Sequence, residues 1–92
     1  MTEWRTLTFR ATVPSQTSVV AYVRAANAVA DFNAPGLQRY GPFSSSPVNL
    51  TASGVPKTRY LRVEFELRSA DGVSAPVLHD FAVRWACPVQ IN

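Results

Sequence analysis

Ninety-two residues, 47% apolar and 16% charged, make one folded domain and leave too little chain for a second core or for a disordered class. The formal charge is +3, yet eight of the nine basic residues are arginines scattered from Arg5 to Arg84 among Glu3, Glu64, Glu66, Asp71 and Asp80. That scatter argues against the basic stripe of a nucleic-acid binder, and no apolar run approaches the ~20 residues that cross a bilayer.

A period of two dominates the chain, the mark of half-buried strands. In Glu3–Val13, Leu7, Phe9, Ala11 and Val13 share one face, while Trp4, Thr6, Thr8, Arg10 and Thr12 share the other. Pro14-Ser15-Gln16 then ends the strand, because proline cannot donate to a ladder. Ser18–Ala26 reads as a second strand with Val19, Ala21, Val23 and Ala25 inward, and Val20, Tyr22 and Arg24 outward.

Residues 27–47 carry turn signals, "NAPG" and "GPFSSSP", on either side of "LQRY". A structureless loop of that length is unusual in a small domain, so a short strand is expected near Leu37–Tyr40. Val48–Ala52 is expected as another, with Val48, Leu50 and Ala52 aligned. The plainest alternation follows: Leu61, Val63, Phe65 and Leu67 inward against Arg62, Glu64, Glu66 and Arg68 outward. "SADGVSAP" supplies a reversal at Asp71-Gly72. In the last strand, Val77–Ala86, Phe81, Val83 and Trp85 share the inner face and His79 has their parity.

No segment offers ten residues of helical period free of a breaker. The chain is therefore read as all-β, an antiparallel β-sandwich of jelly-roll or immunoglobulin-like form with about six to eight strands. The expected core is Leu7, Phe9, Val19, Val23, Leu50, Leu61, Val63, Phe65, Leu67, Phe81, Val83 and Trp85.

The segment "RYLRVEFELRSADGVSAPVLHDFAVRW", Arg59 to Trp85, resembles the final strand pair of β-sandwich modules attached to bacterial secreted, cell-surface and phage-tail proteins. "TSVVAYVRAAN" is compatible with the same group. The similarity spans 27 of 92 residues and is a pattern of fold. It implies a non-catalytic accessory module, often beside enzymes or adhesins and sometimes carbohydrate-binding. No ligand motif accompanies it.

Groups suited to catalysis are few. There is one histidine and one cysteine, with no nucleophile elbow and no phosphate-cradling glycine loop. His79 and Asp80 are neighbours in a strand and point to opposite faces, which disfavours a local relay. No catalytic residue, cofactor or metal site is expected. Glu64 and Glu66 share a face, but flanking Arg62 and Arg68 explain them as cross-strand ion pairs. Asp31, Asn33 and Asp71 are oxygen donors that calcium accepts, and also ordinary turn residues. Asn49-Leu50-Thr51 matches a glycosylation acceptor, of consequence only in a eukaryotic secretory setting. Cys87 has no cysteine partner within the chain and reads as a small apolar residue or a bond to another molecule.

The candidate ligand-binding set is Trp4, Tyr22, Arg24, Tyr60 and Arg62, all of outward parity. Flat rings beside guanidinium groups suit sugar rings or a protein partner. Loop aromatics Phe32, Tyr40 and Phe43 are a rival set. With Met1 the only methionine and "MTEWRTLTF" entering directly into a strand, the chain is expected to be a module cut from a larger protein, which the resemblance implies is extracellular or cell-surface. Its partners are then neighbouring domains, another protein or a polysaccharide. A subunit of a phage-tail or fibre-like assembly is the alternative.

Overall fold

The computed structural model describes residues 2–87. Six strands, all antiparallel, form two three-stranded sheets. In chain order they are β1 (Glu3–Thr12), β2 (Thr17–Ala26), β3 (Tyr40–Phe43), β4 (Val48–Asn49), β5 (Tyr60–Ser69) and β6 (Val77–Ala86). One sheet has the order β4-β1-β6 and the other β3-β2-β5. The only helical turn among the described residues is a 3₁₀ segment, Val29–Asn33. Jelly-roll or immunoglobulin-like connectivity goes beyond this all-β, two-sheet arrangement.

The long strands fall where alternation places them. β2 and β5 pair in unbroken register from Thr17–Ser69 to Ala26–Tyr60, so Ala21 faces Phe65 and Val23 faces Val63. The inner faces of both sheets meet in one core: Leu7, Val48 and Leu50 from the first, Ala21, Val23 and Ala25 from the second, with Val55. Leu7, Leu50 and Val23 are fully enclosed.

The middle of the chain departs from expectation. The strand foreseen near Leu37–Tyr40 lies at Tyr40–Phe43 and pairs with β2. Tyr40 and Phe43 pack against the core, so they are not free loop aromatics. The stretch foreseen as Val48–Ala52 keeps strand form only at Val48–Asn49. Asn49 Oδ1 then accepts the Ala52 amide proton (3.0 Å), turning the chain and leaving Ala52 exposed. Leu50 stays buried because its amide donates to the Arg5 carbonyl (2.8 Å).

Two irregularities in the β1–β6 ladder change which side chains face inward. Arg5 has no partner on β6, and Trp4 pairs with Trp85 while Thr6 pairs with Arg84. An extra residue in one strand reverses the side-chain parity beyond it. Trp4 therefore turns toward the core, where its indole N–H donates to Thr58 Oγ1 (2.9 Å). On β6, His79 is the extra residue between Asp80, opposite Arg10, and Leu78, opposite Ala11. The inward parity expected for His79 is lost, and its Nε2 lies 2.6 Å from Thr12 Oγ1 on the outer side.

The β5–β6 connection is fastened by one carboxylate. Asp71 Oδ1 accepts from the Val73 amide (2.9 Å), the Ser74 amide (2.8 Å) and the Ser69 hydroxyl (3.0 Å), and Oδ2 accepts from the Ser74 hydroxyl (3.0 Å). These donors, the two backbone amides first, lower its pKa from an ordinary 3.8 to about 2.

Candidate interaction surface

The aromatic and arginine residues singled out in the sequence do not gather into one surface. Trp4 is displaced to the interior by the bulge at Arg5. Tyr22 lies on the outer face of its sheet but is only 8% exposed, with the Arg39 guanidinium 3.7 Å above its ring centroid. Gly41 also presses on it: a β-carbon built there would stand 2.9 Å from Tyr22 Cδ1. Tyr22 is thus closed to a ligand, and Trp4 is partly covered by the core.

The other three residues share the outer face of the β2–β5 pair. Tyr60 is opposite Ala26, Arg62 opposite Arg24, and Glu64 opposite Tyr22. Arg24 reaches diagonally to Glu64, with Nε 3.0 Å from Oε2, both side chains more than two-thirds covered. The contact is a charge pair without hydrogen-bond alignment, since neither buried atom completes such a bond. Glu66 pairs within its own strand to Arg68 (2.7 Å). Of the four charges expected to pair across strands, only Glu64 does so. Arg62 makes no ion pair among the described residues and sits across from a second arginine. Tyr60 is 40% exposed, with Arg59 5.9 Å from its ring centroid. What remains open on this face is a small basic corner of Arg59, Tyr60 and Arg62.

A larger feature lies on the opposite flank. β5 and β6 are each the outermost strand of a sheet, ten residues long, with one neighbour apiece. Phe65 of β5 meets Phe81 of β6 at 5.2 Å between ring centroids and Phe9 of β1 at 5.6 Å, so the two edges lie on the same side of the molecule. No further strand covers this flank among the described residues. Leu67, Phe81 and Trp85, expected in the core, are therefore 46%, 52% and 60% exposed. Beside Trp85 a shallow depression of about 420 Å³ is lined by Arg5, Thr6, Val83 and Arg84. The molecule is drawn out to 57 × 28 × 19 Å, and its radius of gyration of 15.1 Å exceeds the ~12 Å of a compact domain this long.

Alternation could not reveal this flank, because it assigns a face to each side chain without saying whether a neighbouring strand covers it. One signal was available. Edge strands are usually guarded by charges, lysine or proline, and β5 carries Arg62, Glu64, Glu66 and Arg68. β6 has only Asp80 and Arg84 and no proline or lysine.

The reactive side chains are kept apart. His79 and Cys87 sit at opposite ends of β6, roughly 25 Å apart along an extended chain, and each lies beside a threonine, Thr12 and Thr2. Asp31 and Asn33 belong to the 3₁₀ turn, whereas the Asp71 carboxylate is spent within its own loop. No family model, curated protein or solved structure matches the chain.

Proposed function

We propose that this chain is a non-catalytic β-sandwich module, jelly-roll or immunoglobulin-like in build, of a larger extracellular or surface-assembly protein, and that its role is protein contact. The observation that carries the proposal is the open flank, where Phe81, Trp85 and Leu67 stand half-exposed beside two long strand edges that are unpaired among the described residues. Exposed aromatic side chains next to free backbone donors and acceptors are what a strand-adding protein partner uses. The extracellular or cell-surface setting, or that of a phage-tail or fibre-like assembly, rests on the resemblance of Arg59–Trp85 to modules of such proteins.

A fluorescent dye that binds apolar surface tests this reading in the dilute chain. Binding that is lost in the Phe81→Ser/Trp85→Ser double variant, with thermal unfolding still cooperative, is the expected result. A chain that binds no dye, or a double variant that fails to fold, makes the row an interior and removes the proposal.

A second reading, carbohydrate binding, is favoured by one observation: Tyr60 is exposed beside Arg59 and Arg62. With Trp4 and Tyr22 withdrawn, the ligand best suited to that corner is an acidic polysaccharide. Retention on immobilised heparin, reduced by Tyr60→Ala and Arg62→Ala, is the expected result, and unchanged retention rejects it.

A further inference from the structure

We infer that the partner of the open flank is a second copy of this chain, added edge to edge through β6 about a two-fold axis at Ala82. The inference rests on the contact-module reading and names its partner.

β6 reads Val77-Leu-His-Asp-Phe-Ala-Val-Arg-Trp-Ala86, and its charges are placed symmetrically. When two copies run antiparallel with Ala82 opposite Ala82, Asp80 of each falls opposite Arg84 of the other, and Phe81 falls opposite Val83. Directly opposed residues of an antiparallel pair lie on the same face of the sheet, so the register makes two opposite-charge pairs on the outer side. On the inner side it sets Phe81 against Val83 of the second copy twice. The five residues Asp80–Arg84 of each strand take part, since the bulge at His79 ends the regular run, and a continuous sheet of order β4-β1-β6-β6-β1-β4 results. Both free β6 edges are then consumed, as a closed, isologous contact requires.

β5 is a poorer match in its middle: centred on Glu64 or Glu66, self-pairing would set that carboxylate against its own copy at the axis. Centred on Phe65, self-pairing would oppose Glu64 to Glu66 and Arg62 to Arg68, like charges in every pair. Its carboxylates are moreover engaged by Arg24 and Arg68. On β6, Arg84 makes no ion pair among the described residues. Asp80 pairs with Arg10 at 2.8 Å, yet both side chains remain more than 60% exposed, so Asp80 retains room for a second cation.

A charge exchange tests partner and register together. The intact chain is expected to sediment as a dimer whose population rises with concentration. Arg84→Asp places Asp opposite Asp at both contacts, and Asp80→Arg places Arg opposite Arg. Each variant alone is expected to dimerise roughly tenfold more weakly or worse. An equimolar mixture of the two restores an Asp–Arg pair at both contacts and is expected to form the heterodimer. Both sites are exposed, and thermal unfolding of each variant verifies that it folds. A dimer indifferent to either substitution, a mixture that does not recombine, or open-ended oligomers overturn the two-fold β6 seam. A strict monomer that still binds the apolar-surface dye overturns the self-partner while leaving the contact-module reading intact. A strict monomer that binds no dye overturns both.

Discussion

Trp4 and Trp85 are direct register partners on the same face of one sheet, their ring centroids 6.4 Å apart and their planes inclined by 60°, yet Trp4 is partly buried against the core and Trp85 is 60% exposed. The difference is one of strand position: among the described residues β1 has β4 and β6 on its two sides, and β6 has β1 alone. Enclosure obliges the Trp4 indole to find an acceptor, and Thr58 supplies one. Its hydroxyl accepts from Nε1 and donates to the Tyr60 carbonyl (2.9 Å), while its backbone exchanges two hydrogen bonds with Thr2. Thr58→Val keeps the shape and removes the acceptor. A loss of about 1–3 kcal/mol in urea denaturation is expected, with Thr58→Ser close to the parent. Equal stability of Thr58→Val and the parent would show that the indole proton needs no partner.

Phe65 and Glu66 are adjacent on β5 and differ in what they touch. Phe65 is wedged between Phe9 and Phe81, whereas Glu66 holds only Arg68 at the surface. Phe65→Ala is expected to cost about 3 kcal/mol and Glu66→Ala less than about 1 kcal/mol. Because the flank is half-open, the Phe65→Ala loss falls at the low end of the usual range for a buried phenylalanine. Similar losses for the two variants in chemical denaturation would overturn the face assignment.

The strands that read clearly in the sequence are those whose alternation runs uninterrupted: β2 and β5 pair without a slip, and β6 begins and ends where expected. Misplaced side chains trace to single inserted residues. Arg5 sends Trp4 inward and His79 turns itself outward, and nothing in the identity of either marks it as a bulge. The candidate residues are dispersed for a second reason. Outward parity does not ensure access, because a long side chain such as Arg39 can cover an outward ring such as Tyr22. The open flank was legible only in the charges of β5, because strand order, not periodicity, decides which inner faces are covered.

Gly41 shows how closely β3 approaches β2. Its φ is +131°, and a β-carbon there would stand 2.7 Å from the Ala21 carbonyl oxygen and 2.9 Å from Tyr22 Cδ1. Gly54 has a φ of +86° with nothing within 4 Å of the same added atom. Both glycine-to-alanine changes meet the strain of positive φ, so their difference isolates the clash. Gly41→Ala is expected to lose roughly 1–3 kcal/mol more than Gly54→Ala. Thermal melts in which the two variants coincide would mean that β3 yields without cost.

Asp71 sets the response of the β5–β6 loop to acid. Its folded pKa, about 2, lies below the ordinary 3.8 because the Val73 and Ser74 amides and two hydroxyls donate to the charged form. A depressed carboxylate favours the folded loop fully above its unfolded pKa, and that contribution disappears as pH falls toward the folded one. The carboxylate's contribution to the folded loop is therefore expected to be present at pH 4 and to be lost progressively between pH 4 and pH 2, the interval bounded by those two values. The Val73 and Ser74 amide protons report this directly: their NMR shifts should titrate with a midpoint near 2, and Asp71→Asn should abolish the transition. A midpoint near the ordinary 3.8 would mean that the carboxylate is not held by these donors in solution, and that the reversal between β5 and β6 is set by Gly72, at a φ of +71°, instead.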